Sequence, residues 1–151
     1  AIKRDGVPYE LIEKALPTIE GEVNDILSQM VDFGIVLEMD GKNINTYLTY
    51  DEDNIWPLEL SSGMERFISS LAIRVGLINV CNLPRPNFLA IDEGFGNMDS
   101  DNLNSVYMLF QYLKSQFQFC FIVSHIESMR DTVDSLLEIK KEKGFSQINF
   151  D

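Results

Sequence analysis

Two short, wholly apolar runs constrain the fold of this chain more than any other feature. They span Phe88–Ile91 and Phe119–Val123, and a stretch with helical periodicity separates them at Ser100–Phe117. Short apolar runs without polar alternation are typical of strands that are buried on both faces of a parallel sheet. The order strand, helix, strand predicts parallel pairing and therefore an α/β fold.

The other segments predict helices and hairpins around that sheet. Apolar residues at three- and four-residue spacing predict a helix from Pro8 to about Val31, with a break or kink at Pro17. Asp40-Gly41 predicts a tight hairpin turn, because both residues tolerate positive φ. Further predicted elements are strands at 33–39, 45–50 and 55–58, helices at 62–79 and 128–133, and a final hairpin of 136–140 and 145–150 turning at 142–144.

Composition places the chain among ordinary globular domains. Its 151 residues are 45% hydrophobic and 24% charged, which excludes a disordered tail, and two cysteines exclude a disulfide scaffold. The formal net charge of −12 argues against a broad DNA-binding face, because DNA affinity comes largely from Lys and Arg. The acidity is uneven: residues 1–59 hold 13 acidic and 4 basic side chains, and residues 60–151 hold 11 and 8.

The cysteines and the hydropathy pattern indicate the compartment. Cys81 and Cys120 have no partner at metal-ligand spacing, so we expect both to be buried thiols in a reducing environment. The chain has no apolar run near the roughly 18 residues that a membrane span requires, and no signal peptide opens it. We therefore expect an intracellular protein with no membrane partner.

Two adjacent carboxylates follow the first apolar run. Asp92 and Glu93 are expected at the carboxyl end of a buried strand, the edge at which open α/β sheets bind ligands. An Asp there can hold Mg²⁺ beside a nucleotide phosphate, and the neighbouring Glu could polarise an attacking water. A solvated acidic turn after an ordinary strand is the alternative interpretation.

A second candidate site is the start of the helix predicted at 62–79, where residues 60–65 read Leu-Ser-Ser-Gly-Met-Glu. Free backbone N–H groups and the positive end of the helix dipole make such a start an anion site. Ser62 with Glu65 also fits an ordinary capping box. The two interpretations are compatible, because a capped helix can still bind a phosphate.

The single histidine, His125, directly follows the second apolar run. It is expected at the same sheet edge as Asp92, where an imidazole could hydrogen-bond a γ-phosphate or the attacking water. A lone histidine is also compatible with an incidental surface position. The segment Gly94–Asp99 is, by itself, typical of a loop that ends in a helix cap.

In their order and spacing these segments resemble the C-terminal half of an ABC-type ATPase head, a P-loop NTPase-like fold with a mostly parallel sheet and flanking helices. L-S-S-G-M-E is similar to the signature motif, F-L-A-I-D-E to Walker B with its catalytic Glu, G-N-M-D to the D-loop and V-S-H to the switch-histidine loop. The continuations E-R-F-I-S-S-L-A-I-R and D-E-G-F-G most resemble the SMC/SbcC branch, whose members are DNA-repair and chromosome ATPases.

The resemblance implies a role for each of these residues. Asp92 would help to coordinate Mg²⁺, Glu93 would act as general base toward water, and His125 would position the γ-phosphate. The signature would contact ATP bound mainly by another head, and the D-loop would lie at the interface of the paired heads. The signature residues are Leu60, Ser61, Ser62, Gly63, Met64 and Glu65, and the D-loop residues are Asn97, Met98 and Asp99. Ser62 and Met64 depart from the usual motif, which has Gly and then Gln or Glu at their positions.

The chain contains no G-x-x-x-x-G-K-[ST] loop, which ABC ATPases need to hold the nucleotide phosphates. In the SMC/SbcC branch this Walker A loop lies in an N-terminal lobe beyond a long coiled coil. The resemblance therefore implies that the chain is one lobe of a head, with an unfinished surface. Its predicted parts are a helix of the coiled-coil base (1–32), a hairpin region (33–59) and the ATPase C-terminal lobe (60–151).

The resemblance also implies partners and a function. ATP would be hydrolysed with Mg²⁺ once the Walker A lobe has joined and two heads have paired as a homodimer. An SbcD-type nuclease and double-stranded DNA would bind in the full complex. The alternatives are a RecN- or RecF-like ATPase, a non-catalytic ABC-like assembly module and a helicase-type NTPase. Intact Asp92, Glu93 and His125 argue against the assembly module, and the S-S-G-M-E helix start argues against the helicase.

Overall fold

The computed structural model describes residues 6–81, 84–92, 103–125 and 127–150, and the mixed α/β class is confirmed. The elements are α1 (Gly6–Leu27), β1 (Gly34–Asp40), β2 (Asn43–Thr49), β3 (Ile55–Pro57), a 3-10 helix (Leu58–Leu60), α2 (Gly63–Val80), β4 (Phe88–Asp92), α3 (Leu103–Gln116), β5 (Phe119–Val123), a second 3-10 helix (Glu127–Thr132), β6 (Leu137–Glu142) and β7 (Phe145–Phe150). In the described part of the chain, every helix is too short or too polar to cross a membrane.

Helix α1 runs through Pro17, so the predicted break at this residue is wrong. The proline ring removes one backbone donor and leaves the carbonyl of Glu13 without its helical partner. Pro17 and Glu13 both lie on the exposed side of α1, where water can bind that carbonyl. Leu16 and Val23 on the inward side of the helix are buried, and their packing holds the helix together across the missing hydrogen bond.

Strands β1, β2 and β3 form an antiparallel sheet in that order. Ile35, Leu48 and Trp56 are register partners and point toward the core. The first hairpin is confirmed, but its two-residue loop is Gly41-Lys42 and not Asp40-Gly41. Gly41 adopts a φ of 61°, a value that favours glycine.

Side chains of α1 satisfy the free edge of β1. The Asn24 side chain accepts a hydrogen bond from the Ile35 amide (2.8 Å) and donates one to the Ile35 carbonyl (2.9 Å). Glu20, one turn earlier on α1, accepts from the Leu37 amide at 2.7 Å. The four-residue spacing on the helix thus matches the two-residue spacing along the strand. These bonds fix the register of α1 against the sheet and protect an edge that would otherwise be unpaired.

The core forms where α1 crosses α2. A Cβ atom added at Gly76 would lie 2.8 Å from a methyl group of Val23, so the two helices approach too closely for any side chain there. The buried apolar cluster contains Val23, Ile26, Leu27, Met30, Phe33, Ile35, Leu48, Met64, Ile68, Leu71, Ala72, Val75, Ile91, Val106, Leu109, Phe110, Leu113 and Phe117. Among the described residues, this cluster includes side chains of α1, α2 and α3 and of both the antiparallel and the parallel sheet.

Strands β4 and β5 pair in parallel, as predicted, with Phe88 opposite Phe119 and Asp92 opposite Val123. Their inward side chains pack on the core, whereas Phe88 (59% exposed), Phe119 (59%) and Phe121 (48%) point outward. The expectation of burial on both faces is therefore wrong for the described residues, whose helices cover only one side of this pair. We call the uncovered side the open face; it comprises Phe88, Ala90, Phe119, Phe121 and Val123.

Three smaller expectations have different outcomes. Cys81 is exposed at the C-cap of α2 and Cys120 is half-buried, so the prediction that both are buried is wrong for Cys81. The short helix predicted at 128–133 is a 3-10 helix that begins at Glu127. The final hairpin is confirmed, and Lys143 and Gly144 at its turn have φ values of 50° and 88°.

The close approach at Gly76 generates a prediction with an internal control. We expect Gly76→Ala to lower the free energy of unfolding by about 1–3 kcal/mol, because the added methyl group meets Val23 inside the core. Gly21→Ala, in α1 with open space around its Cβ position, should instead raise it by up to ~1 kcal/mol. Urea unfolding followed by circular dichroism measures both. Equal effects of the two substitutions would contradict the proposed helix contact.

Candidate functional site

The predicted capping box at the start of α2 is confirmed. Ser62 is the N-cap: its hydroxyl oxygen accepts a hydrogen bond from the Glu65 amide at 3.2 Å. The Glu65 carboxylate in turn accepts from the Ser62 amide at 2.6 Å. An acidic residue in the first turn also interacts favourably with the positive end of the helix dipole. These two local hydrogen bonds satisfy the backbone amides of Ser62 and Glu65 at the start of the helix.

The signature residues around this cap face in different directions. Ser61 is only 8% exposed, and its hydroxyl donates to the Leu58 carbonyl at 2.5 Å. Met64 is buried in the core, so its side chain is committed to packing. Ser62 and Gly63 are exposed at the helix start, with open space where a Gly63 Cβ atom would lie, and Leu60 is also exposed. The outward polar groups of the segment therefore belong to Ser62 and Gly63.

Tyr50, which directly follows β2, contributes to this site although the sequence did not indicate it. Its hydroxyl donates to the Glu65 carboxylate at 2.7 Å. Partial burial and this carboxylate raise the pKa of Tyr50 to about 12. Burial alone would raise the pKa of Glu65, but hydrogen bonds from Tyr50 and Ser62 outweigh it and lower that pKa. Fifteen residues separate Tyr50 from Glu65, so no local pattern could have identified the pair.

Asp92 and His125 lie at the same edge of the parallel sheet, as predicted. Asp92 is the last residue of β4 and pairs in register with Val123, the last residue of β5. His125 follows two residues later, and both Asp92 and His125 are exposed. This is the carboxyl edge of the strands, where ligands of α/β sheets bind. Their catalytic roles are not tested by this placement and stay predictions.

The donor chemistry at this edge fits Mg²⁺. Magnesium ions usually keep several waters and are held by one or two carboxylates together with substrate phosphates. Asp92 supplies one exposed carboxylate at the strand end. Within residues 6–81, 84–92, 103–125 and 127–150, no group of three or more His, Cys, Asp or Glu side chains is gathered as a complete protein cage. The predicted site residues Glu93, Asn97, Met98 and Asp99 lie outside the described residues.

Sequence comparison connects the chain with two kinds of relatives, although no protein-family model matches it. It is 36% identical over 160 residues to an uncharacterized protein of Acanthamoeba polyphaga mimivirus, covering 95% of this chain and 12% of that protein. It is 31% identical over 93 residues to SbcC, a component of the nuclease SbcCD, of Staphylococcus aureus, covering 59% of this chain and 9% of that protein. The chain thus spans about a tenth of the length of these relatives.

Comparison with solved structures identifies the fold. A chain from structural work on ATP-driven dimerization and DNA-stimulated activation of SMC ATPases matches with a TM-score of 0.74 at 13% identity, covering 93% of this chain and 88% of that one. An Smc head bound to the C-winged helix domain of ScpA matches with a TM-score of 0.71 at 15% identity, covering 94% and 45%. The SMC head domain of Thermotoga maritima matches with a TM-score of 0.63 at 20% identity, covering 93% and 50%.

The class of protein follows from these observations together. The fold is that of an SMC-type ATPase head, and in this chain two short strands pair in parallel with one side packed on the core. The sequence relationship to SbcC points to the same branch. Together, the fold and the partial sequence similarity to SbcC support an ABC-type ATPase head of the SMC/SbcC kind.

The lowered pKa of Glu65 predicts a pH-dependent contribution to stability. A carboxyl group whose pKa is lower in the folded state stabilises the fold above its ordinary pKa, and this contribution is lost as the pH falls through the lower folded value. We therefore expect the difference in unfolding free energy between wild type and Glu65→Gln to be greatest near pH 7 and to shrink below about pH 4.5. Urea unfolding at a series of pH values measures it.

Glu59→Gln is the matched control for net charge, because it removes an exposed carboxylate from the neighbouring 3-10 helix. A wild-type to Glu65→Gln difference that does not change with pH would contradict the role assigned to the Glu65 carboxylate.

Proposed function

We propose that this chain is the C-terminal lobe of an SMC/SbcC-type ATPase head that hydrolyses ATP after it joins a Walker A lobe and a second head. The observation that carries this proposal is the open parallel pair, with Asp92 and His125 at its carboxyl edge, in a chain that has no P-loop. Within it, we assign residues 1–32 to the base of the coiled coil, residues 33–59 to the hairpin region and residues 60–151 to the ATPase lobe.

The proposed chemistry divides among Asp92, Glu93 and His125. When bound, Mg²⁺ would neutralise charge that develops on the transferred phosphoryl group. Asp92 would help to hold that ion through its exposed carboxylate. Glu93 would accept a proton from the attacking water. His125 would donate a hydrogen bond to the γ-phosphate and orient it.

Within the signature segment, we assign the phosphate contact to Ser62 rather than to Ser61. The Ser61 hydroxyl is buried and already donates to a backbone carbonyl. The Ser62 oxygen accepts from the Glu65 amide, which leaves the proton of its hydroxyl available to a phosphate oxygen. Gly63, at the first helical position, leaves room for a ligand to approach the backbone. The ATP that these residues contact would be bound mainly by the second head.

The open face supports the proposal that another lobe completes the sheet. Parallel sheets occur almost only with both faces covered, yet three phenylalanines of β4 and β5 are about half exposed. An apolar patch of this kind is typical of a surface that binds another protein. We assign this surface to the N-terminal Walker A lobe of the same protein.

The proposal of further partners outside the ATPase head rests only on the similarity to SMC/SbcC proteins. We propose an SbcD-type nuclease and double-stranded DNA as partners of the assembled homodimer, in an intracellular complex. The net charge of −12 makes this lobe a poor DNA-binding surface by itself. DNA would therefore be held by other parts of the assembled heads.

ATP turnover with separated lobes tests the proposal. The chain alone should show no turnover, and turnover should appear when a Walker A lobe of the same protein is added. Glu93→Gln should reduce turnover by about 10²–10⁴-fold while ATP still drives head pairing, because only the general base is lost. Glu127→Gln, an exposed carboxylate beyond His125, is the control. Turnover by the chain alone, or unchanged turnover in Glu93→Gln, would refute the proposal.

Head pairing tests the assignment of Ser62. Ser62→Arg places a bulky cation at the helix start, so ATP-dependent dimerisation of the complete head should be lost. Binding of ATP to its own Walker A lobe should change less than twofold. Ser70→Arg, an exposed position on α2 away from the helix start, should leave dimerisation intact. Light scattering with and without ATP distinguishes these outcomes; dimerisation of Ser62→Arg like that of wild type would exclude the assignment.

A further inference from the structure

We propose that Tyr50 is a positioning residue for the ATPase reaction: by holding Glu65, it keeps the start of α2 in the conformation that presents Ser62 to a nucleotide. The inference rests on the proposed function of the signature segment. Tyr50 itself contacts neither phosphate nor metal, and acts through the capping box.

The first support is the connectivity of the hydrogen bonds. One Glu65 oxygen accepts from the Tyr50 hydroxyl (2.7 Å) and the other from the Ser62 amide (2.6 Å). A single carboxylate therefore joins the antiparallel sheet to the residue that caps α2. Hydrogen bonds to an ionised acceptor are roughly twice as strong as neutral ones, and the pKa shifts of Tyr50 and Glu65 agree with such a bond.

The second support is that the Tyr50 ring is itself held in place. It lies edge-on to Phe33, with ring centroids 5.8 Å apart, and stacks on Trp56 at 5.7 Å. The turn that follows β2 is closed by bonds from the Asn54 backbone and side chain to the Asp51 carboxylate. The position of the hydroxyl is thus set by the sheet rather than by α2.

The third support is the space around the Glu65 carboxylate. A cavity of about 150 Å³ adjoins Tyr50, Ser62 and Glu65, and Asp32 and Ser105 also line it. Packing therefore does not confine the Glu65 side chain on this side. Without the tyrosine hydroxyl, the carboxylate can rotate into the cavity and leave the Ser62 amide. The hydroxyl is the group that selects the capping conformation.

A merely structural role and a positioning role differ in what they change. Tyr50→Phe retains the aromatic contacts and removes only the hydroxyl, so stability should change little. If the residue positions the signature, turnover should fall while ATP binding to the Walker A lobe does not, because the signature acts only after the heads pair. Tyr107→Phe is the matched control, since Tyr107 is an exposed tyrosine on α3.

The experiment uses the complete head, made of this chain and its Walker A lobe. We expect Tyr50→Phe to lower kcat about fivefold (roughly 1 kcal/mol at 1.36 kcal/mol per tenfold), with the Kd for ATP and the urea midpoint close to wild type. In a Glu65→Ala background, Tyr50→Phe should have no further effect on kcat, because the carboxylate through which it acts is absent. Tyr107→Phe should match wild type throughout.

Three results would overturn the inference, and they can be told apart. If Tyr50→Phe turns over ATP like Tyr107→Phe while Ser62→Arg is inactive, the proposed function stands and only the role of Tyr50 fails. If Tyr50→Phe lowers kcat equally in the wild-type and Glu65→Ala backgrounds, Tyr50 acts through another group, and the inference is again wrong. If the wild-type complete head shows no turnover at all, the proposed function fails and the inference fails with it.

Discussion

The close packing of α1 on α2 at Val23 and Gly76 is the contact on which the rest of the structure depends. With no side chain at Gly76, the helices approach until a Val23 methyl group occupies that space. Glu20 and Asn24 on the same α1 helix bind β1, so the antiparallel sheet is held at a fixed position relative to α2. The sheet in turn brings Tyr50 to Glu65 at the start of α2. A displacement of α1 would therefore shift residues 60–65, through contacts in the core and through the antiparallel sheet.

The open face of β4 and β5 is the main feature of the C-terminal half of the chain. One side of this parallel pair packs on the core, and exposed phenylalanines line the other side. Parallel sheets are usually covered on both faces, so a further layer is expected over these phenylalanines. Asp92 and His125 lie at the edge of that face, and the chain has no phosphate-binding loop to complete their site. The proposed Walker A lobe would supply both a layer over the apolar surface and a P-loop for the nucleotide.

Features governed by local chemistry were predictable from the sequence. The capping box followed from Ser62 and Glu65 at the required spacing, and the shared edge of Asp92 and His125 followed from two apolar runs. Features that depend on residues distant in sequence could not be predicted in this way. Nothing near Tyr50 in sequence indicates that it meets Glu65. An apolar run shows that a strand can be buried on both faces, but it does not show whether the same chain provides the layers that cover them. The buried side chain of Met64 and the exposure of Cys81 are likewise decided by packing.

Hydrogen–deuterium exchange with and without the Walker A lobe tests the central claim most directly, namely that another lobe covers the open face. Backbone amides of β4 and β5 (residues 88–92 and 119–123) should exchange more slowly when the lobe is added, because a neighbouring strand and a covering layer exclude water. Amides of β1 and β2 (residues 34–49), which belong to the separate antiparallel sheet, should change little. Unchanged exchange in β4 and β5, with a saturating amount of the Walker A lobe bound, would contradict the claim.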